Sequence, residues 1–357
     1  MDELLKYAAQ LADQPSYALI APIEGRVAYM VSHGQSYASN GYAIRTQGVA
    51  KELNRNGFET LCFVRPGRPW ELNKETNNTP PESVVNGVRY IHSRWSNEKT
   101  PRNEREHLEA SVQQFMILFS VYRPAAVLAA SNWIVGLPAW VAAKRLGLPF
   151  YNEVRGFWEL SRAAREPLFD NSKAFELEAE RDTFIAKQSL TTFTLNVPMQ
   201  EELVKRGVQR QNIKIVPNGV SDLPTIKPAD PRLQLQLGIE AGDKVIGYIG
   251  SHTAYEGLDT LVEACELLVK QGHKIKLLLI GDQQPLTKVE KIDNLLGIHP
   301  WLIQTGRVPH EKVADYYALI DLVVIPRKKL PVCELVPPMK AAEALAYGKR
   351  LVVSDVA

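Results

Sequence analysis

A basic cluster beside a helix start is the clearest chemical signal in this sequence. Residues 326–346 read PRKKLPVCELVPPMKAAEALA and follow a short apolar run. Pro337 or Pro338 suits the first turn of a helix, which places Lys340 in that turn. A cation there opposes the helix dipole by about 0.3–1 kcal/mol, whereas a bound phosphate reverses the sign and uses the free backbone N–H groups. The segment predicts an anion site formed by Lys340, Arg327 and the lysines next to it.

The same segment has a second interpretation that needs no ligand. The basic loop is then only solvated, and Lys340 pairs with Glu343 three residues later on the helix surface. Pairs at this spacing are common and contribute roughly 0.2–0.5 kcal/mol. On the residues alone, both interpretations stay open.

A second candidate segment is Tyr151–Leu160, with the sequence YNEVRGFWEL. It combines charged and aromatic side chains at the end of an apolar run, namely Glu153, Arg155, Trp158 and Glu159. In α/β folds ligands bind beyond the carboxyl ends of strands. Without other information we favour a structural Arg–Glu pair here, and Trp158 either stacks on a sugar or fills a core.

A third candidate is the loop in Val31–Tyr42, with the sequence VSHGQSYASNGY. Gly41 precedes a predicted helix, and a glycine there permits close approach of the backbone to a phosphate or sugar. The loop lacks GxGxxG and the P-loop Lys-Ser/Thr pair, so the signal is weak by itself. His33 in this loop is either catalytic or, more commonly for a lone histidine, structural.

Short apolar runs alternate with longer amphipathic stretches along the whole chain, the pattern of parallel strands buried on both faces by helices. We therefore expect an α/β protein. In the first half, strands are expected at Arg26–Val31, Thr60–Val64, Ala125–Ala130, Pro149–Val154, Leu190–Leu195 and Lys214–Pro217, and helices at Gly41–Gly57 and Pro138–Leu146.

In the second half, strands are expected at Lys244–Gly250, Lys276–Gly281, Leu322–Pro326 and Arg350–Ser354, with a helix at Gly257–Gln271. A polar, proline-rich stretch at 217–239 separates the halves. We divide the chain into a domain of residues 1–216 and a domain of residues 217–357. Right-handed crossovers then give two Rossmann-like sheets.

Length and composition agree with two soluble globular domains. The chain has 357 residues, of which 45% are hydrophobic and 23% charged. The net charge of +2 gives no general attraction to nucleic acid, and only weak membrane contact stays open. The three cysteines show no CxxC spacing, which argues against disulfides or structural zinc. With no secretory signal and no run of about 18 apolar residues, we expect a cytoplasmic protein.

These motifs together resemble the retaining glycosyltransferases of family 4, which have the GT-B fold of two facing Rossmann-like domains. The resemblance extends over nearly the whole chain. It rests on short motifs at Val216–Val220 (VPNGV), Gly247–Ser251 with Tyr255–Leu258, Leu279–Asp282, and Pro338–Lys340 with Glu343–Ala346.

The resemblance implies a nucleotide-sugar donor site in the second domain. Glu343 would bind ribose hydroxyls, and the loop and helix start would hold the diphosphate through Gly250, Ser251, Pro338, Met339 and Ala341. Glu334 would contact the donor sugar, although one more residue than usual separates it from Glu343.

The diphosphate site also departs from the family pattern. Many members place a basic pair after the first strand of this domain, but the corresponding positions here are about Ser251 and Glu256. A leaving diphosphate gains negative charge in the transition state and needs fixed donors. Arg327 and Lys340 are therefore the expected catalytic cations.

In the first domain, residues 153–159 (EVRGFWE) resemble a polysaccharide-associated branch of the family, at a place where other members have an active-site histidine. Arg155 would then be catalytic and face the donor sugar or its phosphate. The acceptor side of the cleft would include Ser39, Asn40, Gly41, Trp158 and Glu159.

The resemblance implies a hexosyltransferase-like enzyme that moves a sugar to a hydroxyl of a glycan or lipid-linked acceptor, in the cytoplasm or at the inner face of the membrane. No cofactor or metal is expected, since the Asp-x-Asp motif is absent from the sequence. The alternatives are a GT-B sugar-nucleotide epimerase and a non-catalytic sugar-nucleotide binder.

Family members usually continue beyond the strand at Arg350–Ser354 with further strands and helices. We therefore expect the second domain to be incomplete at its C-terminus, with an exposed edge. A partner or an oligomer would then complete it.

Overall fold

The computed structural model describes residues 2–15, 21–72, 78–95, 99–220, 222–281 and 299–356. The chain divides into two compact units. The first unit contains Met1–Glu159 and Phe169–Pro217, and the second contains Leu160–Leu168 and Asn218–Ala357. Asp282, the last residue of one sequence motif, lies outside the described residues.

Within the described residues, the first unit has one sheet with the strand order β3-β4-β2-β1-β5-β6-β7-β8. All neighbouring strands are parallel except β3 and β4. The strands are β1 Arg26–Val31, β2 Glu59–Val64, β3 Glu82–Val85, β4 Val88–Ile91, β5 Ala126–Ala130, β6 Phe150–Glu153, β7 Thr192–Thr194 and β8 Ile213–Ile215.

Helices cover this sheet and bury a core of large apolar side chains such as Phe63, Phe115 and Trp140. The helices are α1 Glu3–Ala12, α2 Gly41–Arg55, α3 Glu104–Tyr122, α4 Trp133–Arg145, α6 Lys173–Gln188 and α7 Val197–Lys205. A further helix, α5 Trp158–Ala163, begins in the first unit, and its residues from Leu160 onwards belong to the second unit. The predicted α/β architecture is confirmed.

Helix α4 begins five residues earlier than predicted. Pro138, which was expected at the start of the helix, lies in its interior. An interior proline costs about 3 kcal/mol through its lost hydrogen bond and steric clash. Burial offsets that cost, since Val135, Leu137, Ala139 and Val141 of this helix are fully buried.

The hairpin β3–β4 was not predicted. Its strands are joined by Asn86 and Gly87, which have φ of 46° and 81°. Asn-Gly is a strong hairpin signal because both residues adopt positive φ readily. Strand β3 is half exposed, so it lacks the continuous apolar run used to find the other strands.

The second unit has a parallel sheet with the order β11-β10-β9-β12-β13 among the residues described. The strands are β9 Lys244–Ile249, β10 Ile275–Ile280, β11 Leu302–Gly306, β12 Leu322–Ile325 and β13 Arg350–Val353. The helices are α8 Pro231–Gln236, α9 Leu258–Lys270, α10 Val313–Leu319, α11 Pro331–Leu335 and α12 Met339–Ala346. Four of these strands and helix α9 match the predictions to within one residue at each end, and β11 was missed.

The strand order of the second unit creates a place for a ligand. From β9 the chain moves to β10 on one side and later returns to β12 on the other side. The connections that follow β9 and β12 therefore lead to opposite sides of the sheet. The point between them is a topological switch point, where open α/β sheets bind ligands.

Gly257 fixes how closely these two loops approach. It has φ of +69°, and a Cβ atom at this position would lie 1.9 Å from the carbonyl oxygen of Pro326. Only glycine satisfies both the backbone conformation and the contact. The loop after β9 is thus held directly against the end of β12.

We expect Gly257→Ala to lower the melting temperature strongly or to prevent folding, because the methyl group displaces the backbone of Pro326. The matched control is Gly238→Ala, since Gly238 has φ of +65° with nothing within 4 Å of the added Cβ. The control should lose only about 1–2 kcal/mol, the cost of the left-handed conformation. Equal losses in urea denaturation would show that the close approach is unimportant.

Candidate functional site

The loops that follow β9 and β12 are joined by direct contacts in the second unit. The backbone N–H of Lys328 donates to the carbonyl oxygen of Tyr255 at 3.0 Å. The thiol of Cys333 donates to the same carbonyl at 3.6 Å. These contacts place the basic segment beside the loop that carries Glu256.

The carboxylate of Glu256 forms ion pairs with two basic side chains. Its Oε1 atom accepts a hydrogen bond from Arg327 Nη2 at 3.0 Å and lies 2.9 Å from Lys340 Nζ. The side chain of Glu256 is 3% exposed, compared with 11% for Arg327 and 18% for Lys340. Arg327 also donates from Nη1 to the carbonyl of Val336 at 2.7 Å. The result is a largely buried cluster with one carboxylate and two cations.

The electrostatics of this cluster follow from burial and proximity. Burial acts to raise the pKa of Glu256, but Lys340 and Arg327 hold it below its usual range. Burial lowers the pKa of Lys340, as does the charge of Arg327, whereas Glu256 and Glu343 raise it. The ionised cluster has an excess of one positive charge, which suits an anionic ligand.

Lys340 lies in the first turn of α12, as predicted. Pro338 directly precedes this helix, and Gly348 follows its end with φ of +66°. The ion-pair partner of Lys340 is Glu256, from a different loop, so the Lys340–Glu343 surface pair of the ligand-free interpretation is not the pair that forms. The Coulomb attraction between two charges is stronger in the low dielectric of a buried site than on a solvated helix face.

Gly250 brings the end of β9 against this lysine. A Cβ atom at Gly250 would lie 2.3 Å from Lys340 Cε. The hydroxyl of Tyr248 donates to the carbonyl of Ser251 at 2.9 Å and fixes the following turn. The centroid of the Tyr248 ring is 5.2 Å from Lys340 Nζ. Gly250, Ser251 and Lys340 thus lie close together.

The remaining predicted donor residues lie along α11 and α12. Glu343 lies one turn after Lys340 and is half-buried, and burial raises its pKa although Lys340 and His310 oppose this. Asn218, from the motif near the unit boundary, donates from Nδ2 to the carbonyl of Pro337 at 3.3 Å and supports the start of α12. Met339 and Ala341 flank Lys340 and are half-buried, while Glu334 lies in α11.

In the first unit, Arg155 belongs to a buried polar network at the end of β6. Its Nε atom donates to Glu153 Oε2 at 2.9 Å, and its Nη1 atom donates to Thr46 Oγ1 at 2.8 Å and to the Tyr42 carbonyl at 3.0 Å. Arg155 also donates to the hydroxyl of Tyr29. The Arg–Glu pair that we favoured from the residues alone is therefore present.

A second arginine completes this network and was not predicted. Arg45, from α2, donates from Nε to Glu153 Oε1 at 2.8 Å and from Nη2 to the Val216 carbonyl at 3.0 Å. Burial acts to raise the pKa of Glu153, but Arg155 and Arg45 lower it to about 2. No sequence spacing links Arg45 to Glu153, because the fold brings helix α2 and the end of strand β6 together.

The other predicted acceptor residues lie in two different environments. Ser39, Asn40 and Gly41 are exposed, and Asn40 caps α2 by accepting from the Ala43 N–H at 2.9 Å. Glu159 is fully buried and lies 2.7 Å from Arg206 Nη1.

Burial raises the pKa of Glu159, although Arg206 opposes this effect. The ring centroids of Trp158 and Tyr42 are 6.5 Å apart. The roles of Trp158 and Glu159 at an acceptor stay predictions.

Two further findings concern the described part of the chain only. No helix there is long and apolar enough to cross a bilayer. Nor do three or more His, Cys, Asp or Glu side chains there form a group able to hold a metal ion.

Comparison with known families identifies the chain. Two mostly parallel Rossmann-like units define the GT-B class, as predicted. A model of the "glycosyl transferase 4-like domain" matches residues 40–219, half of the chain, and a "glycosyl transferases group 1" model matches residues 243–357. The chain therefore belongs to the glycosyl transferase 4-like family.

Individual relatives are distant. The chain is 25% identical over 339 residues to a D-inositol 3-phosphate glycosyltransferase of Xylanimonas cellulosilytica, a match that covers 90% of this chain and 76% of the relative. It is 28% identical over 149 residues to the lipopolysaccharide 1,2-N-acetylglucosaminetransferase of Salmonella typhimurium, which covers 40% of this chain and 38% of that protein.

Solved structures agree on the fold. Sucrose-phosphate synthase of Thermosynechococcus elongatus aligns with a TM-score of 0.71 and 19% identity, over 93% of this chain and 81% of that chain. The Anabaena protein HepE, in complex with UDP-glucose, aligns with a TM-score of 0.64 and 15% identity, over 92% and 80%.

The Glu153 network predicts a specific dependence of stability on pH. A carboxylate with a depressed pKa contributes stability above its unfolded pKa of about 4.3 and loses it as the pH falls towards the folded value. Between about pH 5 and pH 2, wild type should therefore lose up to about 3 kcal/mol of unfolding free energy that Glu153→Gln does not lose.

The control for this experiment is Glu52→Gln, because Glu52 is exposed and paired with Arg55 at 2.6 Å. Surface pairs contribute little, so this variant should follow wild type at every pH in urea denaturation. Parallel pH curves for wild type and Glu153→Gln would contradict the assignment of Glu153 as an ionised, arginine-bound carboxylate.

Proposed function

We propose that the chain is a retaining, metal-independent glycosyltransferase that moves a sugar from a nucleotide-diphosphate sugar to a hydroxyl of a glycan or lipid-linked acceptor. The observation that carries this proposal is the cluster in which Glu256 binds Arg327 and Lys340 beside the start of α12. A departing diphosphate gains negative charge, and fixed cations and backbone amides stabilise that charge.

The donor site in this proposal lies at the carboxyl end of β9 and β12. Arg327, Lys340 and the first backbone N–H groups of α12 hold the diphosphate, and Glu343 accepts hydrogen bonds from the ribose hydroxyls. The residues that line the same site are Gly250, Ser251, Glu334, Pro338, Met339 and Ala341.

The reaction proceeds by substitution on one face of the sugar. The bond between the anomeric carbon and the phosphate oxygen breaks, and the acceptor oxygen forms a bond to that carbon on the same face. The acceptor's proton passes to the departing phosphate oxygen. Arg327 and Lys340 stabilise the departing group, so no protein nucleophile is needed in this scheme.

In the first unit, the exposed loop of Ser39, Asn40 and Gly41 contacts the acceptor together with Trp158. Arg155, which the resemblance implies is catalytic, is proposed here as a positioning residue for this loop instead, because its guanidinium is buried and donates to the Tyr42 carbonyl at the start of α2. Glu159, which is buried against Arg206, supports the segment that carries Trp158.

One relative supports the proposed role in cell-surface polysaccharide synthesis, because it is a lipopolysaccharide N-acetylglucosaminetransferase by name. A structural neighbour solved with UDP-glucose supports a nucleotide-sugar donor. A lipid-linked acceptor would place the reaction in the cytoplasm at the inner face of the membrane. The role in cell-surface polysaccharide synthesis is a proposal about the acceptor, and the donor chemistry does not depend on it.

The experiment that tests the donor site is a thermal-shift titration with UDP, GDP, ADP and their common sugar conjugates, with and without EDTA. We expect one nucleotide family to raise the melting temperature selectively and EDTA to leave the shift unchanged. For that donor, NMR of the product should show the anomeric configuration of the donor sugar. Absence of a shift with every nucleotide would overturn the donor-site assignment.

Variants of α12 should distinguish binding of the diphosphate from binding of the nucleoside. Lys340→Ala should weaken binding of the nucleoside diphosphate by tenfold or more but leave the affinity for the nucleoside unchanged, since only the phosphate contact is lost. Glu343→Ala should weaken binding of both, because the ribose contact is lost.

The control is Lys227→Ala, which removes an exposed lysine paired with Asp315 at 2.8 Å in the same unit. Isothermal titration calorimetry should show wild-type affinity for this variant. Equal affinities in all three variants would refute the assigned roles, and a large loss of melting temperature in Lys340→Ala or Glu343→Ala would favour purely structural roles.

A further inference from the structure

We propose that Glu256 is a positioning residue of the diphosphate site, which keeps Lys340 protonated and orients Lys340 and Arg327 towards the phosphates. This inference rests on the proposed function, because the phosphates are those of the proposed donor. It assigns a role to an acidic residue at a position where a sequence argument expects positive charge.

The geometry supports this role because three separate segments meet at one carboxylate. Glu256 comes from the loop after β9, Arg327 from the loop after β12, and Lys340 from α12. Both cations contact the same oxygen, Glu256 Oε1, at 3.0 and 2.9 Å. The single oxygen therefore fixes the relative position of the two cations.

The charge of Lys340 depends on the groups that surround it. Burial and the neighbouring guanidinium of Arg327 both lower the pKa of Lys340, whereas Glu256 and Glu343 raise it. Tyr248, whose ring faces the ammonium, has a pKa raised well above its usual value and is a neutral phenol. Glu256 is the only one of these groups in direct ion-pair contact with Lys340 among the described residues.

Removing the carboxylate would change which groups are charged. With Glu256 ionised, the cluster holds two cations and one anion, with a net charge of +1. Without it, two buried cations repel each other, and the lysine loses its proton more readily than the arginine does. The net charge then stays near +1, but only one charged donor remains for the phosphates.

A purely structural role of Glu256 would leave the titration of Lys340 unchanged. Buried ion pairs often contribute little net stability, because desolvation of the charges offsets their attraction. Glu256 is therefore better tested by the titration of Lys340 than by stability. The variant Glu256→Gln keeps the size of the side chain and removes its charge.

The first test reads the titration of Lys340 without any ligand. Competitive acetylation with acetic anhydride across pH, quantified at Lys340 by mass spectrometry, gives the titration midpoint of the amine. We expect Glu256→Gln to lower this midpoint by at least about one pH unit, which corresponds to about a tenfold change in the protonation equilibrium. An unchanged midpoint would overturn the inference.

The control is Asp315→Asn, which removes the carboxylate of the exposed Lys227–Asp315 pair in the same unit. It makes the same charge change away from the cluster and should leave the midpoint of Lys340 as in wild type. If the control lowers the midpoint equally, a general loss of negative charge and not the contact with Glu256 is responsible, and the inference fails.

The second test connects this titration with phosphate binding. Affinity for UDP, GDP and ADP is measured from pH 6 to pH 10 for wild type, Glu256→Gln and the double variant Glu256→Gln/Lys340→Arg. The loss of affinity at alkaline pH should begin at a lower pH in Glu256→Gln. The double variant should restore affinity there, because arginine stays protonated. No rescue by the arginine would overturn the role of Lys340 charge.

These outcomes keep the inference separate from the proposed function. If wild type binds no nucleotide, the donor site fails while acetylation still reports whether Glu256 controls Lys340. If wild type binds but Glu256→Gln shows the same pH dependence, the role of Glu256 alone fails. Should Glu256→Gln not fold, Glu256→Met replaces it: it also removes the charge at similar side-chain size, and an unchanged midpoint in that variant would again refute the inference.

Discussion

A buried carboxylate must be compensated by cations, and this constraint shapes both units of the chain. An ionised group in a low-dielectric interior is costly unless it is paired and hydrogen-bonded. Glu153 is paired with Arg45 and Arg155, and Glu256 with Arg327 and Lys340. In each unit the acid lies at or after the carboxyl end of a strand, and at least one of its cations comes from another segment: Arg45 for Glu153, and both Arg327 and Lys340 for Glu256. The ion pairs therefore connect loops that the sheet alone would leave independent.

The two clusters differ in how far their cations are enclosed. In the first unit the side chain of Arg155 is only 6% exposed and donates to Glu153, Tyr29, Thr46 and a backbone carbonyl. In the second unit the side chain of Lys340 is 18% exposed and lies at the start of a helix. The first arrangement suits a rigid structural network, whereas the second leaves a cation within reach of an anion. This difference is why we assign phosphate binding to Lys340 and a positioning role to Arg155.

Much of the second unit was predictable because its strands are continuous apolar runs. The bounds of β9, β10, β12, β13 and α9 match the predictions to within one residue. The prediction failed where burial was partial or tertiary contacts decided the outcome. Strand β3 is half exposed and has no such run, and Pro138 is tolerated inside α4 because that helix is buried nearly all round.

The ion pair between Lys340 and Glu256 shows why residue spacing alone was insufficient to predict the contacts of the candidate site. A local rule pairs Lys340 with Glu343, but the fold offers Glu256, which lies far away in sequence and is buried. Parallel neighbouring strands end at the same edge of the sheet. Side chains in the loops after β9 and β12 can therefore form ion pairs that residue spacing within either loop does not predict. For the same reason, the missing positive charge after β9 can be supplied from the segment after β12. The electrostatics of such a site depend on the sum of charges at the shared edge, and an acid on one loop is compatible with anion binding when two cations on the other segment compensate it.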